Sequence, residues 1–157
     1  MKQQPIDNLF CIAVIADTHG KLPAKVMELL SKCQFIIHAG DVCDHHTLLK
    51  IQEIAPTLAV RGNNDFIPGL KDHETIKLNG VRFHINHYPH TISRLEPVGD
   101  WYIFGHTHKP FDEMLGNTRH YNPGSVGKPN KGAPPSMSLF HWRGNAWHPE
   151  LHVLEDK

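Results

Sequence analysis

The stretch LFCIAVIADTHG, residues 9–20, decides the fold class. Residues 9–16 are an unbroken apolar run rich in Val and Ile, the pattern of a strand buried on both faces. Such strands belong to parallel sheets covered by crossover helices, and the chain continues accordingly. LPAKVMELLSKC (22–33) carries Val26, Leu29 and Leu30 at helical spacing, with Pro23 suited to a first turn. QFIIHAG (34–40) reads as a second buried strand. DHHTLLKIQEI (44–54) reads as a helix with Leu48, Leu49 and Ile51 inward, and TLAVRG (57–62) as a third strand. The first 62 residues therefore read β-α-β-α-β, the signature of a parallel sheet.

The second half changes character. TIKLNGVRFHIN (75–86) is a hairpin around Asn79-Gly80, a strong two-residue turn signal. DWYIFGH (100–106) is another apolar strand, and MSLFHWRGNAWHPELHVL (137–154) is a closing pair turning near Arg143-Gly144-Asn145. GKPNKGAPPS (127–136), with three prolines and two glycines, is a loop. No repeat, low-complexity tract or linker interrupts the chain, so 1–157 is expected to be a single α/β domain, partly parallel and partly antiparallel.

Composition narrows the partners. A length of 157 residues is enough for one sizeable core. Sixteen Lys and Arg balance sixteen Asp and Glu, so no field favours a long nucleic acid or an anionic membrane as partner. Cys11, Cys33 and Cys43 have no C-x-x-C spacing and fit neither a disulfide framework nor a thiolate zinc site. The apolar run at 9–16 is short for a signal peptide and far short of a membrane span. A cytoplasmic protein with reduced thiols is expected. The unusual feature is 14 histidines, the commonest metal ligand.

Open α/β sheets bind ligands at the carboxyl ends of their strands. The run at 9–16 delivers Asp17 and His19; QFIIHAG delivers Asp41; TLAVRG delivers Gly62, Asn63, Asn64 and Asp65; the hairpin delivers His87; DWYIFGH delivers His106 and, two residues on, His108. Singly, each is more often a cap or a turn former. Together they concentrate carboxylate and imidazole at one sheet edge, which calls for a cation among them. Asp17, Asp41, Asn63 and the imidazoles of His19, His87, His106 and His108 form a mixed N/O set without thiolate. It suits Mn²⁺, Fe²⁺, Zn²⁺ or Ni²⁺ better than Ca²⁺ or Mg²⁺. Seven groups exceed one tetrahedral zinc and suit two ions about 3.5–4 Å apart sharing a carboxylate.

D-x-H at 17–19, G-D at 40–41, G-N at 62–63, His87, G-H-x-H at 105–108 and NPGSVGKP at 122–129 resemble, in order, the motif blocks of the calcineurin-like metallophosphoesterases, in particular the small bacterial and archaeal phosphodiesterases. The resemblance implies a four-layer αββα sandwich of two mixed sheets flanked by helices, with a dimetal site at one edge. It implies that one ion takes Asp17, His19 and His108, the other Asn63, His87 and His106, and that Asp41 bridges. Mn²⁺ is the first choice of metal, with Fe, Ni or Zn as alternatives. Such ions activate a bridging water and orient a phosphoryl group, without a protein nucleophile.

Asp41, Asn63, Asp65 and Arg61 are accordingly the candidate catalytic residues. Arg61 either holds a phosphate or pairs with a carboxylate. Asn64 and the backbone of Gly124 and Ser125 are the candidate substrate contacts, a plain structural turn being the alternative for the latter two. Two departures stand out. Many larger relatives carry a leaving-group histidine after the G-N asparagine, whereas this chain has Asn64, which cannot act as a general acid near neutral pH. The usual H-G-H reads HYPH at 87–90, so His90 receives no metal role. His45 and His46 are read as surface groups.

The expected function is hydrolysis of small or nucleotide-like phosphodiesters. The competing reading is an interaction scaffold, since the superfamily is similar in fold to a retromer subunit with an impaired metal site. The intact set of seven ligands here favours the enzyme. Substrate choice is expected to lie in loops 66–73 and 127–136. Trp101, Trp142, Trp147 and Phe140 are either core or a homo-oligomer face.

Overall fold

The computed structural model describes residues 4–89, 100–127 and 132–154. β1 (Cys11–Ile15) is buried at every position and forms the middle of a five-stranded sheet ordered β10-β9-β1-β2-β3. β2 (Phe35–His38) and β3 (Thr57–Ala59) run parallel to it; β9 (Ser136–Arg143) and β10 (Ala146–Val153) form an antiparallel pair on the other side. α1 (Ala24–Leu30) and α2 (His45–Ile54) are the crossovers. Val26, Leu29, Leu30 and Ile51 pack with Cys11, Ala13, Ile15 and Ile36 on the sheet's helical face.

The alternate residues of β1 and β2, Ile12, Val14 and Ile37, face the second sheet. That sheet comprises β4 (His73–Leu78), β5 (Val81–Asn86), β6 (Trp101–Ile103), β7 (Pro110–Leu115) and β8 (Thr118–Pro123), ordered β4-β5-β6-β8-β7. Strands β5, β6 and β8 are parallel and the two edges antiparallel. Period-two side chains drive this layer: Phe83, Ile85, Trp101, Ile103 and Tyr121 point to the shared core, while His84, Tyr102 and His120 lie on the other face. The α/β class and the two mixed sheets are as expected. Among the described residues both helices flank the first sheet, and none covers the second. The β5–β6 connection runs through residues 90–99, outside the described residues, and so does His90.

The turns follow local chemistry. Asn79 and Gly80 have φ of 54° and 81°, and Gly144 and Asn145 have 58° and 66°, the left-handed pairs that a tight hairpin needs. Trp101, Phe140 and Trp147 are core: Trp101 and Phe140 rings meet at 4.9 Å, and Trp142 packs on Trp147 at 5.0 Å. Two readings need correction. Leu49, expected inward, is 45% exposed, because Thr47, Leu48 and Ile51 form the buried stripe of α2. The β7–β8 hairpin was not anticipated, because β7 is an edge strand with all but one residue exposed and therefore lacks an apolar pattern. Among the described residues, no helix is long and apolar enough to cross a membrane.

Candidate metal centre

The carboxyl ends of β1, β2, β3, β5 and β6 meet at one edge, and the predicted residues leave them in sharp turns. Asp17, His19, Asp41, His106 and His108 have φ of 54°, 48°, 60°, 70° and 66°. Left-handed backbone at non-glycine residues costs on the order of 1–3 kcal/mol each and persists only where the surroundings impose it. Here they do: Asp17 N–H donates to Gly40 O (2.9 Å), His19 N–H to Asp41 O (3.0 Å) and His106 N–H to Asp17 Oδ2 (3.1 Å). Glycines allow the close approach. A Cβ on Gly40 would lie 2.5 Å from His87 Nδ1, and one on Gly105 would lie 2.9 Å from Asp17 Oδ2. A Cβ on Gly62 would overlap Asp41.

The liganding atoms of Asp17, His19, Asp41 and His108 all lie within 4.8 Å of one another. Asp17 Oδ1 is 3.4 Å from His108 Nε2, 3.8 Å from His19 Nε2 and 3.9 Å from His87 Nε2. Asp41 Oδ2 is 3.5 Å from both His19 Nε2 and His87 Nε2, so one carboxylate oxygen is near both imidazoles. His87 Nε2 is also 3.0 Å from Asn63 Oδ1, and its ring is 5.1 Å from that of His106. His87 Nδ1–H donates to Ala39 O at 2.8 Å, which turns Nε2 inward. The structure thus brings all seven predicted ligands to one edge.

The electrostatics fit a divalent cation. Asp17 is fully buried, and its Oδ1 has no hydrogen-bond partner among the described residues. Burial pushes the Asp17 carboxyl up to about 7, with Asp41 adding to the effect and His87 opposing it. For Asp41, burial is outweighed by hydrogen bonds from His87 and Asn64, which hold its carboxyl well below the usual range. His87 is raised despite burial, because it faces both carboxylates. His106 is lowered by burial and by the neighbouring His87. Two ligands of one ion, each about 2.0–2.2 Å from it, stand about 3.0–3.5 Å apart. The closest spacings among the carboxylates and imidazoles fall in that range or just beyond it.

The remaining candidates have other roles. Asp65 is 5% exposed, and its carboxylate accepts from Asp41 N–H (2.8 Å), Cys43 N–H (2.7 Å) and Gly62 N–H (2.8 Å). It braces the Asp41 and Gly62 turns. Asn64, read as a substrate contact, instead donates its N–H to Asp41 Oδ1 (2.9 Å) and its amide to Oδ2 (3.0 Å). Arg61 takes the carboxylate alternative, pairing with exposed Asp72 at 2.8 Å. Gly124 N–H is taken by Asn122 Oδ1 (2.8 Å), and buried Ser125 donates its hydroxyl to Asp17 O (3.1 Å). These bonds favour the structural-turn alternative for the NPGS segment, which clamps Asp17. In loop 66–73, Ile67 packs with Val42, Leu48 and Ala59, while Phe66 is exposed; residues 128–131 of the other loop lie outside the described residues. His45 and His46 are exposed as expected.

Two supporting residues escaped the sequence reading. His38 is fully buried, 3.0 Å from Thr18 Oγ1, and its Nδ1 accepts from Gly40 N–H at 3.1 Å. Asn122 donates to Gly105 O (3.1 Å) and Thr107 Oγ1 (3.0 Å), fixing the turn that carries both histidines. The available signals were the position of His38 two residues before the G-D block and of Asn122 at the head of the N-P-G-S block.

Comparison with known proteins agrees with this geometry. The sequence model of the calcineurin-like phosphoesterase superfamily domain matches residues 10–145. The phosphodiesterase YfcE of Escherichia coli is 30% identical over 155 residues, covering 80% of this chain and 84% of its own. A protein of Methanocaldococcus jannaschii named "probable metallophosphoesterase" is 34% identical over 129 residues, 73% of this chain and 67% of that one. Among solved structures, an archaeal phosphodiesterase superposes with a TM-score of 0.74 at 22% identity, covering 90% of this chain and 99% of that one. A single mutant of Vps29 from Entamoeba histolytica gives 0.73 at 21%, covering 92% and 99%. At those identities the two structures share the fold alone.

Proposed function

The chain belongs to the calcineurin-like phosphoesterase superfamily, and on that premise we propose that it is a dinuclear metal-dependent phosphodiesterase acting on small or nucleotide-like phosphodiesters. The observation that carries the reading is the buried Asp17 Oδ1, without a hydrogen-bond partner among the described residues and ringed by three imidazole nitrogens. In this reading Asp17, His19 and His108 hold one ion, Asn63, His87 and His106 the other, and Asp41 serves both. Bound divalent ions, Mn²⁺ first among them, supply Lewis-acid stabilisation of the phosphoryl oxygens and an activated water.

The chain's own residues prepare the site. Asp65 fixes the backbone on both sides of Asp41, and Asn64 fixes its two oxygens, so the shared carboxylate has one orientation. The hydrogen bond to Ala39 fixes the His87 ring with Nε2 toward the cluster, the nitrogen that would give up its proton to hold an ion. His106, Thr107, Asn63 and Asn64 are exposed, which opens the centre to an incoming ester on that side. Asn64 holds Asp41 through its amide, and an amide delivers no proton to a leaving group near neutral pH.

The Vps29 likeness keeps a scaffold reading as the alternative. Chelator-stripped protein assayed on bis(p-nitrophenyl) phosphate, with and without Mn²⁺ and beside Asp41→Asn, separates the two. Turnover restored by metal and lost in the variant is expected. No turnover by folded, metal-loaded protein would favour the scaffold.

A further inference from the structure

The flank of the centre on the His106 side is aromatic. Tyr88 follows His87 in the chain and is 36% exposed, with its ring edgewise to His106 at 4.8 Å and to His87 at 5.1 Å. Its backbone is anchored: its N–H donates to Asn86 Oδ1 at 3.0 Å, and its carbonyl accepts from the buried Tyr102 hydroxyl. The next residue, Pro89, enters the wall of a cavity of about 310 Å³ completed by Phe104, Thr107, Lys109, Pro110 and Phe111. Phe104 and Phe111 meet edge to face at 5.8 Å. Thr107 lies between His106 and His108, so the cavity is built from two segments, 87–89 and 104–111, that also supply His87, His106 and His108 to the ligand cluster.

We propose that this cavity, with Tyr88, is an aromatic subsite that receives the aryl or nucleobase group of a phosphodiester whose phosphorus sits at the ligand cluster. The inference rests on the phosphodiesterase reading of that cluster. The chemistry suits a flat ring: two phenyl rings and two prolines form the apolar walls, and the Lys109 side chain borders them and can lie over a π-face. The volume is at the small end of ligand sites, room for one ring system and not for a polymer. The balanced charge of the chain points the same way.

Two experiments test it. In the first, Mn²⁺-reconstituted wild type, Tyr88→Leu and Phe111→Leu are assayed on bis(p-nitrophenyl) phosphate and methyl p-nitrophenyl phosphate. These share a leaving group and differ only in whether the second ester carries a ring; both substitutions keep apolar bulk. The kcat/KM ratio between the substrates is expected to fall about tenfold in each variant, mainly through KM, the loss of one ring stack. An unchanged ratio, or equal losses on both substrates, overturns the subsite and leaves the rings as props for His106. In the second, calorimetry compares adenosine 5′-monophosphate with ribose 5-phosphate on the same proteins. Binding about tenfold tighter with the base, abolished in Phe111→Leu, is expected; equal affinities overturn the proposal. Because this arm reads binding alone, it decides the subsite even if neither diester is hydrolysed, an outcome that would sink the phosphodiesterase reading.

Discussion

At the scale of single residues, the centre is built by side chains whose hydrogen bonds are committed to one another. Asn64 is the clearest case: its backbone N–H and its side-chain amide both hold Asp41, and an amide gives up no proton to a leaving group near neutral pH. Activated aryl diesters should therefore turn over much faster than alkyl esters, and log kcat should track leaving-group pKa steeply. Equal rates on aryl and alkyl leaving groups would contradict this. His38 carries a second prediction. Burial pushes its imidazole down to about 4, with Asp65 and Asp41 opposing and His87 and His19 reinforcing. The folded state then binds fewer protons than the unfolded chain between pH 6.5 and 4, so stability present above pH 6.5 is lost as pH falls through that window. The loss tends to about 3 kcal/mol at the acid end. Ring-nitrogen NMR should find His38 neutral at pH 5; a midpoint near 6.5 would refute the assignment.

At the scale of elements, helices and strands were legible to different degrees. The αβ units of the first half follow from unbroken apolar strands and a buried stripe on each helix, signals local to each segment. α1 has no side-chain cap and is held by Val26, Leu29 and Leu30 packing on the sheet, so its ends were read too long, as 22–33 against Ala24–Leu30. α2 begins where read, because Asp44 Oδ1 accepts Thr47 N–H at 2.7 Å. Asp44→Ala should cost about 1 kcal/mol in urea unfolding with an unchanged m-value. No loss would mean that packing alone sets the start of α2. β7 was illegible because an exposed edge strand has no buried face to impose alternation.

At the scale of the whole molecule, the two sheets share one core and deliver their strand ends to one edge. A fully buried Asp17 carboxylate makes that edge costly without a cation. Stripping divalent ions should therefore lower the melting temperature. At free Mn²⁺ a hundredfold above Kd, each site adds about 2.7 kcal/mol. For a chain of this length that corresponds to a shift of several degrees. A melting curve indifferent to Mn²⁺ and chelator would contradict the metal centre.

The sequence alone determined the fold class and the residues at the centre. A buried parallel strand demands a continuous apolar run, and the candidate ligands are His, Asp and Asn at the strand ends, so both are written in local residue type. Roles that depend on where a side chain finds its partner were decided only in three dimensions. Asp65 is a brace because the N–H groups of Asp41, Cys43 and Gly62 surround it, and Arg61 pairs with Asp72 because that carboxylate is in reach. The NPGS turn clamps Asp17 across more than a hundred residues of chain, and Pro89, next to Tyr88, lines the cavity because segments 87–89 and 104–111 meet at the same sheet edge. A hydrogen bond is satisfied by whichever partner the packing brings within reach, and spacing along the chain carries no record of that choice.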